Sequence, residues 1–305
     1  MQPLILGSRG SALALAQVTI LKRLLRDSHP DLQVELKIIT TSGDRRQEVR
    51  AGEGSAAGLK GLFTKEIQDA LLSGSIHAAV HSLKDLPGIT PSSLGLAAVL
   101  PRADTSDLLI ARSAATLATL PPGARLGTGS VRRRRQIQWL RPDIEIVELR
   151  GNVPTRLKKL ADPGFDAIVL ARAGLDRLGY LISAGTLTCE AGTYHTSALD
   201  ILPAIGQGAI GIETRRDDTF ARDILAAVDH APTHTCIRVE RELLRLLDGD
   251  CRLPVGARAT LDNPTTLTAS AIIFRDDNSP PSQAQATGPA SAPEPVAQRL
   301  FEQLS

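Results

Sequence analysis

Aromatic residues are scarce in this chain of 305 residues: phenylalanine, tryptophan and tyrosine together make up 3% of it. Proteins that bind single-stranded nucleic acid present exposed rings on which bases stack, so the scarcity argues against that class. The chain also lacks a strong excess of charge, with 35 lysines and arginines against 33 aspartates and glutamates. A dedicated nucleic-acid binder usually has a marked basic excess. We therefore expect no nucleic-acid partner.

A charged leader and a long apolar run are also lacking. Residues 1–17 have no charged start before their apolar stretch, which predicts neither a signal peptide nor a membrane span. The three cysteines, Cys189, Cys236 and Cys251, are widely spaced and form no CxxC pair. Such a set fits neither a disulfide framework nor a zinc site. We expect a cytoplasmic protein with no membrane partner and no metal.

Strands and helices alternate along most of the chain. Apolar residues at helical spacing predict a helix over 11–27, and strict alternation predicts a strand over 32–38. The alternation is typical of an α/β fold with largely parallel sheets. The other predicted strands lie at 3–6, 76–80, 94–99, 107–111, 125–128, 144–149 and 166–170, and the helices at 62–72, 130–140, 153–161 and 171–178.

The pattern changes after about residue 230. A long helix fits 233–247, strands fit 255–261 and 266–274, and a short helix closes the chain. This predicts a separate, smaller α+β unit, with a Pro/Ser/Ala/Gln-rich stretch at 278–294 left unplaced. Residues 40–61 are polar and rich in glycine, without any period, and predict a mobile loop.

Arginine recurs where predicted strands end and helices begin. Ligands of α/β sheets bind beyond the carboxyl ends of strands, where helix N-termini favour anions. The planar guanidinium can hold a carboxylate with two hydrogen bonds. The recurrence therefore suggests a ligand with several carboxylates, held by Arg9, Arg132, Arg133, Arg150, Arg156 and Arg177.

A plainer interpretation of these arginines stays open. A single arginine at a helix start is most often a solvated surface residue. The run 132–135 fits an exposed helix face or a nucleic-acid patch equally well on its own. Successive helical residues are separated by about 100°, so the four cannot face one ligand. We expect Arg132 and Arg133 to point inward, and Arg134 and Arg135 toward solvent.

Two further segments carry polar groups suited to chemistry. His81, Ser82, Lys84 and Asp85 follow an apolar strand, and the end of a strand is a normal place for a catalytic group. A carboxylate there would stabilise developing positive charge or move a proton. The alternative is an ordinary turn closed by an Asx-type hydrogen bond. Cys251 lies in a loop bounded by glycine and proline beside a basic residue, which favours a reactive thiolate, although most loop cysteines have no special role.

Four segments together resemble the porphobilinogen deaminase family, whose members are also called hydroxymethylbilane synthases. They are HSLKDLP at 81–87, GSVRRRRQ at 129–136, RGNVPTRL at 150–157 and DGDCRLPVG at 248–256. The resemblance implies an enzyme that joins four porphobilinogen molecules head to tail with loss of ammonia. It also implies a dipyrromethane cofactor held through a thioether to Cys251, and hydrolytic release of the linear tetrapyrrole.

The resemblance also assigns roles to individual residues. Asp85 matches the family's catalytic aspartate. The cofactor-binding positions are Cys251, Lys84, Ser130, Arg132, Arg133, Ser82 and Lys60. The substrate-binding positions are Arg9, Ser11, Arg150, Arg156, Arg177 and Phe63.

The family fold is α/β with three domains, of which the first two resemble type II periplasmic binding proteins and the third is a small α+β domain. Matched onto this chain, domain 1 is 1–99 plus 203–228, domain 2 is 103–200 and domain 3 is 230–305. We expect a monomer.

This chain departs from the family pattern at several places. The middle glycine of the cysteine segment is Asp250, a common active-site lysine is replaced by Ala56, and a common methionine by Leu83. Residues 181–200 match nothing in the family pattern and suggest a local insertion. Two rival functions also stay open. A binding module would hold a carboxylated ligand without turnover and need no role for Cys251, and a nucleic-acid binder would show a steep salt dependence.

Overall fold

Three sheets organise the computed structural model, which describes residues 2–42, 64–113, 115–247, 254–275 and 279–305. The strands of the first sheet are β1 (Leu4–Ser8), β2 (Val34–Ile38), β3 (Ala78–Ser82), β4 (Leu94–Val99) and β12 (Ile210–Arg215), and its helices are α1 (Ala12–Ser28), α2 (Lys65–Leu72) and α6 (Thr219–Ala226). The strand order is β2-β1-β3-β12-β4, with β1 parallel to β2 and β3, and β12 antiparallel to both of its neighbours.

Helix α1 shows why the sequence builds these layers. Ser11 caps its start, accepting a hydrogen bond from the backbone N–H of Ala14 at 3.3 Å. The helix then buries Val18, Leu21 and Leu25 against the first sheet, which is the helical spacing seen in the sequence. The capped end of α1 consequently lies beside the carboxyl end of β1.

The second sheet has the order β7-β6-β8-β5-β11-β10-β9. Strand β6 runs parallel to β7 and β8, whereas β5 is antiparallel to β8 and β11. Its strands are β5 (Asp107–Ala111), β6 (Arg125–Gly127), β7 (Glu145–Val147), β8 (Ala167–Ala171), β9 (Leu181–Ser183), β10 (Thr186–Cys189) and β11 (Gly192–Ala198), and its helices are α3 (Val131–Leu140), α4 (Val153–Leu160) and α5 (Arg172–Arg177).

The third sheet is an antiparallel meander of β13 (Val255–Asn263), β14 (Thr266–Ile273) and β15 (Ser282–Pro289). Helices α7 (Ala231–Leu247) and α8 (Pro293–Leu304) pack on it and share one apolar core with it. The predicted α/β class with a small α+β unit after residue 230 is therefore confirmed. The expectation of largely parallel sheets was wrong, because β12 is antiparallel to both of its neighbours and one side of the second sheet, from β8 to β9, pairs antiparallel throughout.

The chain crosses between the first two sheets twice, after β4 and before β12. The two crossing segments lie side by side, because the N–H of Ala103 donates to the carbonyl of Gly208 at 3.0 Å. Gly208 has φ +82°, and a Cβ there would overlap the carbonyl oxygen of Ala103. Only glycine fits this close approach of two backbones.

Two segments that the sequence left unplaced are parts of sheets. Residues 181–198 form β9 to β11, and β11 pairs with β5 within the second sheet instead of standing apart as a local insertion. Residues 282–289 form β15 along the whole of β14, with Ala286 buried. The sequence of β15 has one β-branched residue, Thr287, and no aromatic one, so pairing with β14 determines its conformation.

Candidate active site

A small cavity of about 70 Å³ opens where β1 and β3 end. These strands are parallel neighbours, so their carboxyl ends meet at one edge of the first sheet. Arg9 and Ser11 enter from the turn between β1 and α1, and Ser82 and Asp85 from the end of β3 and the short 3-10 helix Leu83–Asp85 that follows it. The remaining polar lining includes Gln17 and His81.

The turn that bears Lys84 and Asp85 is held from the second crossing segment. The N–H of Leu83 donates to the carbonyl of Ala209 at 3.1 Å. Gly206 has φ +73°, and a Cβ on it would lie 3.0 Å from the backbone of Leu83 and Lys84. The turn is thus packed against backbone, which fixes the starting points of the Lys84 and Asp85 side chains.

Lys84 and Asp85 are both exposed residues. Protein atoms nonetheless lie densely around the Lys84 ammonium. The resulting desolvation, and then the charge of Arg133, lower the pKa of Lys84 to about 8, although Asp85 acts to raise it. A desolvated ammonium beside other cations gains most from an anionic ligand that supplies counter-charge.

Arg156 and Arg177 are half-buried. Desolvation, followed by the charge of Arg133, lowers the pKa of Arg156 to about 10, with Glu148 and Asp85 acting in the opposite direction. Desolvation likewise lowers the pKa of Arg177 to about 10. These mutual effects place arginines of the second sheet within electrostatic reach of Lys84 and Asp85 on the first. The two groups therefore face one cationic cleft.

Backbone carbonyls and one carboxylate orient these cleft arginines. Nε of Arg156 donates to the carbonyl of Gly151 at 2.7 Å, and Nη2 of Arg177 donates to the carbonyl of Gly208 at 2.7 Å. Arg150 is exposed, and its Nε lies 2.9 Å from Oε1 of Glu148. Each side chain retains further N–H groups for a ligand.

Arg132 and Arg133 are buried at the start of α3, where both converge on Asp107. Nη2 of Arg132 donates to Oδ2 of Asp107 at 2.7 Å. Nε and Nη2 of Arg133 donate to Oδ1 at 3.1 and 2.7 Å. Gln207 adds a fourth hydrogen bond to the carboxylate, from its Nε2 to Oδ1 at 2.9 Å. The predicted inward orientation of the two arginines is confirmed, and their nearest carboxylate belongs to the protein.

Arg134 and Arg135, expected in solvent, are half-buried. Nη2 of Arg134 lies 3.5 Å from Oε2 of Glu148. The guanidinium of Arg135 stacks over the ring of Phe274 with 5.4 Å to its centroid. The two side chains thus reach solvent only in part, because Glu148, which follows β7, and Phe274, which follows β14, lie against this side of α3.

The two predicted serine sites hold local structure as well as facing the cleft. Ser130 caps α3, accepting from the N–H of Arg133 at 3.4 Å. Ser82 accepts from Nε2 of Gln17 at 2.7 Å, which leaves its own hydroxyl hydrogen available to a ligand. Lys60, Phe63 and Cys251, which the sequence also assigned to the site, lie outside the described residues.

Sequence reasoning missed Asp107, Gln207 and Glu213 near this site. Asp107 is fully buried, and it begins the apolar strand DLLIA. A charged residue opening an otherwise buried strand is the signal that could have found it, since buried charges need partners. Gln207 and Glu213 carry no comparable signal, because their partners are distant in the sequence.

The residues present fit a ligand with several carboxylates, such as a dipyrromethane with an acetate and a propionate on each ring. Nε of Arg132 is buried without a hydrogen-bond partner in the described part of the chain. Arg9, Lys84, Arg150, Arg156 and Arg177 add cationic donors around the cleft. No helix within the described ranges is long and apolar enough to cross a membrane, and the same ranges contain no group of three or more potential metal ligands.

Fold and site together define an α/β protein with a third α+β unit and a cationic cleft for a polycarboxylated ligand. Two family models match the chain: "Porphobilinogen deaminase, dipyromethane cofactor binding domain" over residues 4–223, and "Porphobilinogen deaminase, C-terminal domain" over residues 234–305. The chain belongs to the porphobilinogen deaminase family, and is accordingly a transferase that uses a dipyrromethane cofactor.

Curated relatives agree over nearly the whole length. The porphobilinogen deaminase of Syntrophobacter fumaroxidans is 44% identical over 94% of this chain and 89% of the relative. That of Moorella thermoacetica is 42% identical over 98% of this chain and 91% of the relative. Among solved structures, the methionine binding protein MetQ aligns with a TM-score of 0.45 and 14% identity over 74% of this chain and 89% of that one.

Proposed function

We propose that this chain joins four porphobilinogen molecules head to tail, with loss of one ammonia for each, and releases the linear tetrapyrrole by hydrolysis. The main support is that the turn bearing Lys84 and Asp85 faces the arginines of the second sheet across one cleft. In a porphobilinogen deaminase, that arrangement brings carboxylate-binding groups and one carboxylate to the same ligand.

The cationic residues would bind and orient the acetate and propionate side chains. Arg9 and Ser11 would bind these carboxylates from the side of the first sheet, and Arg150, Arg156 and Arg177 from the side of the second. Arginine holds a planar carboxylate in two parallel hydrogen bonds, so the side chains of each ring determine where its reacting carbon lies. Phe63 is proposed as an apolar neighbour of the substrate rings.

Asp85 would act on the reacting ring. Loss of ammonia from porphobilinogen leaves an electron-poor ring with positive charge on the pyrrole nitrogen. A fixed carboxylate beside that N–H stabilises the charge, and it can accept the proton that leaves the attacked carbon. The backbone packing of Gly206 against the 83–84 turn supports this role, because it restricts where the carboxylate can lie.

Cys251 is proposed to hold the cofactor through a thioether, with Lys60, Ser82, Lys84, Ser130, Arg132 and Arg133 binding its carboxylates. When bound, the dipyrromethane supplies the pyrrole carbon to which the first porphobilinogen is joined. The buried and unpartnered Nε of Arg132 supports a further acceptor at that position.

The domain boundaries stay a proposal: 1–99 plus 203–228, 103–200, and 230–305. The three separate sheets support this division. A cytoplasmic location is also proposed, supported by the free thiols of Cys189 and Cys236, since a reducing compartment preserves thiols. We propose a monomer, which light scattering of the purified chain would test.

Intact-mass measurement tests the proposed function. The wild-type chain should exceed its sequence mass by one dipyrromethane, and Cys251→Ser should show the bare mass and form no bilane from porphobilinogen. Cys189→Ser, which changes a half-buried thiol outside the cleft, should keep both the added mass and the activity. A bare wild-type mass without bilane formation would refute the function and favour a binding module.

A further inference from the structure

A buried histidine and a buried glutamate lie directly behind the Asp85 cavity. Nε2 of His81 is 3.1 Å from Oε2 of Glu213, with the two side chains 4% and 1% exposed. His81 lies on β3 and Glu213 on β12, which are antiparallel neighbours. His81 also lines the cavity that contains Asp85 and Arg9. The pair therefore connects the interior of the first sheet to the site.

Glu213 accepts hydrogen bonds from a second residue as well. Nε2 of Gln68 donates to both of its oxygens, at 3.0 and 3.3 Å. A carboxylate that accepts from an amide on one side accepts from the imidazole on the other, so Nε2 of His81 carries the hydrogen. This fixes the tautomer, and Nδ1 is then the nitrogen with the free lone pair.

Within the cavity, Nδ1 is the nitrogen through which His81 can exchange a proton with a neighbouring group. Its Nε2 is occupied by Glu213, and Nδ1 is its only other polar atom. The charged groups that line the cavity with it are Arg9 and Asp85, and the neutral ones include Ser82 and Gln17. Ser82 and Gln17 bond to each other at 2.7 Å. Asp85 is therefore the one acidic group lining this cavity, within the described residues, that can exchange a proton with His81.

We propose that His81, positioned by Glu213, relays the proton that each condensation releases at Asp85. The C–H bond of the attacked pyrrole carbon breaks, its electron pair restores the aromatic ring, and the proton passes to the Asp85 carboxylate. Asp85 then gives the proton to Nδ1 of His81, across the cavity of about 70 Å³, which has room for about two bridging waters. His81 passes it to the released ammonia, which leaves as ammonium.

The relay gives the buried carboxylate of Glu213 a function. A relay histidine is transiently an imidazolium, and a buried positive charge is costly unless it is paired. Glu213 supplies the counter-charge at Nε2 in each cycle without itself taking the proton. This inference rests on the proposed function, since it needs a condensation that releases a proton.

A magnetic resonance measurement tests the tautomer independently of turnover. The chain has six histidines, so ¹⁵N-histidine spectra of the purified protein are simple, and the His81→Gln spectrum assigns the His81 signals. In the neutral wild type we expect hydrogen on Nε2 and none on Nδ1. Glu213→Leu should lose this single tautomer. Hydrogen on Nδ1 in the neutral wild type would overturn the proposal.

Kinetic measurements then distinguish a proton relay through His81 from a purely structural hydrogen bond between His81 and Glu213. His81→Gln places an amide N–H where Nε2 donates to Glu213, but the amide accepts no proton. We expect kcat to fall roughly 100-fold with KM changed less than about threefold, as for loss of a general base. In deuterium oxide, kcat of His81→Gln and Glu213→Gln should fall by a larger factor than kcat of the wild type, because transfer of an exchangeable proton away from Asp85 becomes rate-limiting.

His77→Asn is the matched control. His77 is also a buried histidine, immediately before β3, but its Nδ1 accepts from the N–H of Ile5 at 3.0 Å and it does not line the cavity. It should keep normal kcat and the solvent isotope effect of the wild type. A cofactor-loaded His81→Gln enzyme with normal kcat, or with reduced kcat and the wild-type solvent isotope effect, would overturn the relay alone. A wild type without cofactor would instead refute the proposed function.

Discussion

Arg133 binds Asp107 through two nitrogens of one guanidinium, Nε at 3.1 Å and Nη2 at 2.7 Å from Oδ1. Arg132 occupies the other oxygen at 2.7 Å. Two arginines and one aspartate carry a net charge of +1 in a buried place. The cleft therefore receives an oriented cationic pair whose mutual repulsion is reduced by a carboxylate of the protein itself.

Asp107→Asn should destabilise the fold strongly. The amide has the shape of the carboxylate but leaves two buried guanidinium groups without counter-charge, and breaking a buried pair in this way costs about 3–5 kcal/mol. Urea unfolding monitored by circular dichroism measures the loss. Glu145→Gln removes one partner of an exposed pair, Arg125 Nε to Glu145 Oε2 at 3.7 Å, and should cost about 1 kcal/mol or less. Equal stability of the two variants would contradict the role given to Asp107.

The same aspartate predicts a pH dependence of stability. Burial alone would raise the pKa of Asp107, but the charges of Arg133 and Arg132, together with hydrogen bonds, hold it well below its usual range. Its contribution to stability is thus complete above the unfolded pKa of about 3.9 and is lost as pH falls toward the folded pKa. The difference in unfolding free energy between wild type and Asp107→Asn should shrink as pH is lowered from 6 to 3. A constant difference over that interval would contradict the pairing.

Lys84 predicts an alkaline limit on loading of the cofactor, whose carboxylates it is proposed to bind. Its pKa of about 8 in the cofactor-free protein means that the ammonium loses its proton, and its attraction for carboxylates, above that pH. The rate at which the cofactor-free chain gains the mass of a dipyrromethane should therefore fall above about pH 8. Lys84→Arg keeps its charge at these pH values and should move the fall to higher pH. An unchanged alkaline limb in Lys84→Arg would assign the fall to another group.

Asp85→Ala should fold normally and lose nearly all turnover. The side chain is exposed, so its removal creates no cavity, whereas loss of a group that stabilises developing charge costs roughly 100- to 1,000-fold in kcat. Thermal unfolding and steady-state rates provide the two readouts. Asp217→Asn alters an aspartate that is 90% exposed and should leave both unchanged. Near-normal rates in Asp85→Ala would remove it from the mechanism.

The sequence predicted features that depend on local spacing. The α/β alternation, the inward orientation of Arg132 and Arg133, and the strand-end position of Asp85 all follow from neighbours in the chain. The partners of those residues do not, because Asp107 reaches Arg133, and Glu213 reaches His81, only after distant strands pair. Strand β15 was missed for the same reason. Half-burial of Arg135 depends on Phe274 of the third unit, which no periodicity within α3 can reveal.

Glu240 joins the third unit to both crossing segments, and the last prediction concerns this residue. Its side chain is fully buried on α7 of the third unit. It accepts from Nη1 and Nη2 of Arg102 on the first crossing segment at 2.6 and 3.0 Å, and from the N–H of Gly206 on the second at 2.8 Å. The N–H of Ala259 in β13 donates to it at 2.9 Å.

Glu240→Gln should cost about 3–5 kcal/mol of unfolding free energy, because the amide leaves Arg102 without counter-charge and turns one donor toward other donors. Arg238→Gln, which breaks an exposed pair with Glu294 on the same helix, is the control and should cost about 1 kcal/mol or less. Gly206 also packs against the 83–84 turn, so Glu240→Gln should lower kcat as well as stability, whereas Arg238→Gln should leave kcat unchanged. Loss of stability in Glu240→Gln with unaltered kcat would show that the crossing segments do not position Asp85.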